Sequence, residues 1–165
     1  MYLALPQLNK FRFKPGTNNR RTVLLEVRKN YELIEHTADI GVRVRGADLK
    51  FLFENAACAM FDIITKGQKP VGGTKKKIAV KQEGQGREEL FINWLNELLS
   101  LSSAKGLIFT GFKIRKLDAG SLEADVSGRD IAGYKGTKEI KAATYHQLKI
   151  EEQESGWVAE VILDV

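Results

Sequence analysis

The sequence predicts an α+β fold, with two helices packed on one face of a mixed, mostly antiparallel sheet. Three observations lead there. Short stretches alternate apolar and polar residues, as Ile40, Val42 and Val44 do against Arg43 and Arg45, which is the period of a half-buried strand. Two longer stretches repeat apolar residues every three and four positions, the period of a helix with one buried face. Their order is ββαβαββ, then a loop, then ββ, and it lacks the regular strand-helix alternation of a doubly wound sheet.

Tyr31 to Glu35 and Ile40 to Gly46 are the first two strands, the second with one core face and one wet face. Asp48 then caps a helix whose stripe is Leu49, Leu52, Phe53, Ala56, Ala57, Met60, Ile63 and Ile64. The stripe is core, and Met60 needs no cofactor to explain it. Gly67 to Gly73, with Pro70, is a loop, after which Lys75-Lys76-Lys77 is the solvated start of a strand running through Ile78 and Val80. Gly84-Gln85-Gly86 breaks that strand. Glu88 to Ser103 is the second helix, with Leu90, Phe91, Trp94, Leu95, Leu98 and Leu99 inward, and Gly106 stops it. Four more strands follow, at Ile108 to Leu117, Ser121 to Ser127, about Thr144 to Glu152, and Trp157 to Leu163. Asp118-Ala119-Gly120 and Ser155-Gly156 supply the turns within the two pairs. The glycine-rich loop from Gly128 to Glu139 has neither a Walker spacing nor a dinucleotide fingerprint, so it is not a nucleotide site by motif.

With 165 residues, 43% hydrophobic and 28% charged, the chain has an ordinary soluble composition and the length for one well-buried core. The net charge of +5 is unevenly spread. Residues 1 to 30 hold seven Lys or Arg against Glu26 alone, a balance of +6, so the rest of the chain carries −1. Residues 1 to 30 are therefore a basic extension and residues 31 to 165 a single domain. Such an extension reads as a solvated, poorly ordered tail, as a phosphate-binding arm, or as over-extension of a reading frame that starts near Val23. The body has no basic stripe and no aromatic platform motif, which argues against a dedicated RNA-binding module. Cys58 is the only cysteine and lies in the helical pattern, so it reads as a buried thiol in a reducing compartment. No apolar run approaches a membrane span, and Met1 to Pro6 is too short for a signal peptide, so a cytoplasmic protein is expected.

Chemistry concentrates at His36-Thr37-Ala38-Asp39-Ile40-Gly41-Val42, where a carboxylate and an imidazole fall at a strand junction. The sequence finishes on Leu163-Asp164-Val165, a carboxylate followed by the chain-terminal one. If the first and last strands are neighbours, three anionic oxygen donors meet, the set that hard cations such as Mg2+ and Ca2+ prefer. Lys141-Ala142-Ala143-Thr144-Tyr145-His146 places a cation and the only other imidazole at a strand start. Either histidine reads equally as a hydrogen-bonded structural residue or as a functional one.

These segments, with the helical runs Leu52-Phe53-Glu54-Asn55-Ala56-Ala57 and Trp94-Leu95-Asn96-Glu97-Leu98-Leu99, together resemble the archease family, in register from Tyr31 to Val165. The resemblance implies a non-enzymatic activator of the GTP-dependent tRNA-splicing RNA ligase. That partner joins RNA ends carrying a 2′,3′-cyclic phosphate or 3′-phosphate to a 5′-hydroxyl, and the family is held to promote its guanylylation and multiple turnover. RNA would then be met through the ligase. An older reading of the family is chaperoning of a tRNA methyltransferase. The resemblance also implies a divalent metal, Ca2+ or Mg2+/Mn2+, on Asp39, Asp164 and Val165, the same trio the residues suggest. His36, Lys141 and His146 would then support the ion or face the partner. The competing class is a metal-dependent phosphoesterase, for which Asp39, Asp164, His36 and His146 would suffice, although no His-Glu-x-x-His motif is present.

Overall fold

The computed structural model describes residues 30–34 and 36–165, so the basic extension lies outside the described residues up to Lys29. Among the described residues, seven strands and two α-helices follow one another as β1 (Tyr31–Ile34), β2 (Ile40–Gly46), α1 (Leu49–Thr65), β3 (Lys76–Glu83), α2 (Arg87–Lys105), β4 (Leu107–Leu117), β5 (Ser121–Asp130), β6 (Ala142–Gln153) and β7 (Gly156–Asp164). The α+β class and the two helices stand as the sequence predicts. The strands, however, divide into two sheets, one ordered β1-β2-β7-β6 and one ordered β3-β5-β4. Every pairing is antiparallel. Each helix touches both sheets, α1 through β2 and β4, α2 through β6, β3 and β4.

Local chemistry explains the boundaries. The Asp48 carboxylate accepts the Phe51 N–H at 2.9 Å and opens α1. Lys66, in the left-handed region at φ 55°, closes it by donating its N–H to the carbonyls of Asp62 and Ile63. Gly106, at φ 62°, ends α2 in the same way, a conformation that glycine adopts without steric cost. Gly46 has a different reason, since a Cβ there would lie 2.3 Å from the Leu52 nitrogen where β2 runs into α1.

The helical stripe and the strand faces meet in one core, which includes Val42, Val44, Leu52, Phe53, Met60, Leu90, Phe91, Trp94, Val126, Val161 and Leu163. Trp94 is fully buried, and its indole N–H donates to the Phe53 carbonyl at 3.0 Å. The largest apolar side chain of α2 thus satisfies its one polar atom on α1. Glu54 is nearly buried as well. Its Oε1 accepts the Ile114 N–H at 2.7 Å, beside the register shift of β4 between Ile114 and Lys116.

Cys58 corrects an expectation. It is exposed, because Ala57 and Ala59 on either side of it take the inward positions of α1. Local desolvation, with the Asp62 and Glu54 carboxylates nearby, pushes its thiol up to about 11. It stays protonated at neutral pH and is a poor nucleophile.

Candidate functional site

The strand that follows the His36 junction is the neighbour of the last strand. β2 and β7 run antiparallel with Ile40 opposite Leu163, so Asp39 and Asp164 stand at the same end of adjacent strands. On the other side of β7, Ala142 lies opposite Asp164, which brings Lys141 to the end of the sequence. The Lys141 N–H donates to the Asp164 carbonyl at 2.8 Å, and its ammonium donates to the Val165 backbone oxygen at 3.0 Å. Three segments remote in sequence therefore meet at one end of the sheet.

His36 lies in the connection between β1 and β2. Its Nδ1 is 3.9 Å from Asp39 Oδ2, with the side chains 19% and 32% exposed. That separation is beyond hydrogen-bonding distance, and Nδ1 is buried with no hydrogen-bond partner among the described residues. The ring of His146 packs edge to face against it, with centroids 5.8 Å apart and planes at 78°. His146 itself is exposed. It reaches this position because the β6–β7 register shifts between Thr144 and Lys149, with Gln147 in the left-handed region at φ 53°. The residues between those two positions bulge out of the ladder and carry the imidazole with them.

Asn96 was not among the residues the sequence singled out for the site, yet it positions part of it. From α2 its side chain donates to the Ala143 carbonyl at 3.1 Å and accepts the Ala143 N–H at 2.8 Å. A polar residue beside Leu95 and Leu98 was the only available signal. Thr144 adds a bond from its hydroxyl to the Ile162 carbonyl at 3.2 Å. The start of β6, and hence Lys141, is held from both neighbours.

This end of the sheet carries Asp39, Asp164, His36, His146 and Lys141. Among the described residues, no three His, Cys, Asp or Glu side chains stand close enough together to hold a metal ion. Any ion at this end of the sheet would therefore need ligands besides these side chains. A groove of about 640 Å³ opens beside Lys141 and is lined also by Asn96, Ser102, Thr137 and Lys138. A second cleft, of about 850 Å³, lies where the two helices begin and takes none of the site residues in its lining. No helix among the described residues is long and apolar enough to cross a membrane.

Residues 31–165 match the model of the Archease protein family (MTH1598/TM1083). The chain is 40% identical over 144 residues to the archease of Pyrococcus abyssi, covering 83% of this chain and 99% of that one. It is 37% identical over 143 residues to the archease of Methanosarcina acetivorans, covering 83% and 97%. The solution structure of Methanobacterium thermoautotrophicum protein 1598 superposes with a TM-score of 0.64 at 32% identity, over 84% of this chain and 100% of that one. The crystal structure of a Thermotoga maritima archease, described as a possible chaperone, gives a TM-score of 0.55 at 25% identity, over 80% and 94%.

Proposed function

The chain belongs to the archease family, and from that membership we propose that it is an accessory protein of the GTP-dependent tRNA-splicing RNA ligase. In this reading it promotes guanylylation and repeated turnover of the ligase and catalyses no step itself. The observation that supports it best is the register of β2 and β7, which sets the His36–Asp39 junction beside Asp164 and Val165. Asp39, Asp164 and the terminal carboxylate of Val165 would hold a divalent cation, with His36, Lys141 and His146 around them. The donor chemistry supports this reading: the carboxylates are the oxygen ligands such cations take, and His36 Nδ1 beside them is a buried polar atom without a partner among the described residues. When bound, the cation would offset negative charge on a nucleotide triphosphate at the ligase surface. The protein's own part is to orient those donors and to bring Lys141 to the chain end.

The test is a guanylylation assay with purified ligase, GTP and this chain. A rise in guanylylated ligase and in turnovers per enzyme is expected, with loss of both for Asp39→Ala. An unchanged rate with the wild-type chain would reject the reading. Turnover of RNA or phosphoesters by the chain alone would instead favour the metal-dependent phosphoesterase.

The description of the Thermotoga maritima relative as a possible chaperone favours a second reading, in which the chain chaperones a tRNA methyltransferase. Recovery of soluble, active methyltransferase in the presence of the chain, with no effect on the ligase, would select it.

A further inference from the structure

We propose that the outer face of the three-stranded sheet β3-β5-β4 docks the phosphodiester backbone of an RNA strand, so that the chain meets RNA directly as well as through the ligase. The inference goes beyond the ligase reading, which supplies only the choice of RNA over DNA, and it uses no residue of the proposed ion site. It starts from charge. Residues 66–81 and 105–138 hold thirteen Lys or Arg against four Asp or Glu, a balance of +9, so the remainder of residues 31–165 carries −10. The small net charge of the body therefore conceals two halves of opposite sign. The positive half contains β4, β5 and most of β3, and it makes no stripe in the sequence because separate strands and loops contribute its cations.

The ladder register sets part of this charge on one face. Val80, Leu122, Ala124 and Val126 are buried in the core, so Lys77, Ala79 and Lys81 of β3 point away from it. Lys77 lies opposite Ser127 of β5, and Ser127 opposite Gly111 of β4, which makes one row across three strands. A Cβ on Gly111 would lie 2.5 Å from Ser127 Oγ and 3.9 Å from Lys75 Nζ, so a hydroxyl and an ammonium converge above this glycine. In the next row Ala79 lies opposite Asp125, and Asp125 opposite Lys113. Asp125 and Glu123, acids of the same face, are engaged by Arg115 and Lys81, each at 3.3 Å. Lys75 and Lys77 are exposed and have no ion-pair partner among the described residues.

Side-chain chemistry selects the partner. Among the described residues the exposed large apolar side chains are Leu33, Phe51, Val71, Ile131 and Tyr145, none of them in β3, β4 or β5. Protein interfaces concentrate aromatic side chains at their centre and are poor in lysine, so an acidic protein or a second copy of this chain fits the face badly. A lipid surface shares the phosphate chemistry, but the face has no apolar side chain to enter it. Phosphates of a nucleic-acid strand are met by Lys, Arg and hydroxyls, the groups that Lys75, Lys77 and Ser127 present. With Gly111 and Ala79 as its floor and no aromatic platform, the face offers backbone contact without base readout. The competing account is that these lysines only keep the start of β3 solvated, in which case no RNA binds there.

The test is fluorescence anisotropy of a labelled single-stranded RNA of about 20 nucleotides with the full chain, in the absence of ligase, between about 50 and 200 mM salt. Lys75→Glu combined with Lys77→Glu should weaken binding at least about tenfold and reduce the log–log salt slope by roughly 1.4, the value for two phosphate contacts on a single strand. The charge-matched control, Lys10→Glu combined with Lys14→Glu in the basic extension, should cost less than about threefold. Thermal melts check that both proteins fold, and Lys75→Gln with Lys77→Gln, which removes charge without reversing it, should give an intermediate loss. A sheet variant that binds like the wild type, or a control that loses as much, would overturn the inference. Tighter binding to anionic phospholipid vesicles than to RNA would also sink it, as would a dimer of the chain that RNA does not compete away and the sheet variant abolishes. Stimulation of guanylylation with RNA absent should be the same for the sheet variant and the wild type. Lost stimulation with intact RNA affinity would assign the face to the ligase and reject direct RNA docking. RNA binding through this face by a chain that never stimulates guanylylation would support the inference while rejecting the ligase reading.

Discussion

Asn96 hydrogen-bonds both backbone groups of Ala143, accepting its N–H at 2.8 Å and donating to its carbonyl at 3.1 Å. One side chain of α2 thus substitutes for a neighbouring strand at the free edge of β6. Ala143 is 3% exposed, so water cannot replace these bonds without local opening. Asn96→Leu should therefore destabilise the protein by about 1 to 3 kcal/mol, the cost of leaving buried backbone groups unpaired. Urea denaturation would measure it. Amide exchange at Ala143 should accelerate more than exchange at Val42, on the far side of β7.

Asp118 gives a pH-dependent prediction. Its carboxylate accepts the Ser121 hydroxyl at 2.8 Å and the N–H groups of Gly120 and Ser121 at 3.1 and 2.8 Å. Bonding to Ser121, then to the turn N–H groups and Lys116, lowers its pKa from 3.8 to about 2. A folded-state value below the unfolded one means stabilisation that is complete above 3.8 and lost as pH falls through about 2. Asp118→Ala should thus melt lower than the wild type at pH 7, with the gap closing between about pH 4 and pH 2. A gap that is constant with pH would show that the turn does not depend on the charge.

These two sites also show what a sequence reveals and what it withholds. Asp118-Ala119-Gly120 is legible because turn chemistry is local, as are the Asp48 cap, the Gly106 stop and the core stripe from Leu52 to Ile64. The division into two sheets is not legible, because a period of two tells which side of Val42 is buried and not which strand lies beside it. The condition posed for Asp39 and Asp164 to meet, that the first and last strands are neighbours, does not hold, since β2 lies between β1 and β7; it is β2, the second strand, that pairs with β7 and sets the two aspartates at the same end of adjacent strands. The meeting of His36 with His146 could not be posed at all, since it depends on a bulge between Thr144 and Lys149 whose register no local pattern encodes. Cys58 was misplaced for a related reason: a small apolar residue inside a helical stretch takes its side from a rotation of one position.

Asp39 is the carboxylate that approaches His36, and in the proposed ion site it would be one of a small set of oxygen ligands that Asp39→Ala reduces by one. Divalent-ion affinity should fall by at least about tenfold, measured by calorimetry with Ca2+, Mg2+ and Mn2+ on both proteins. Asp39 is part-exposed and, among the described residues, its side chain carries no backbone hydrogen bond, so folding should be preserved. Unchanged affinity would remove this residue from the site.

The role of Val165 is separable from that of Asp164, because a short extension after Val165 turns a carboxylate into a neutral peptide carbonyl and leaves Asp164 intact. The extension also lengthens the chain at the oxygen that the Lys141 ammonium approaches at 3.0 Å. A C-terminal tag should weaken ion binding and lower ligase guanylylation, while the same tag at Met1 should do neither. If the C-terminally tagged protein binds less ion yet activates fully, the ion serves to tie β7 to the β2 end and stabilises the fold by mass action. If it keeps its ion and fails to activate, the end of β7 is a docking surface for the ligase. Full binding with full activation would remove Val165 from the site, and Lys141 would then be read as a clamp on the chain end alone.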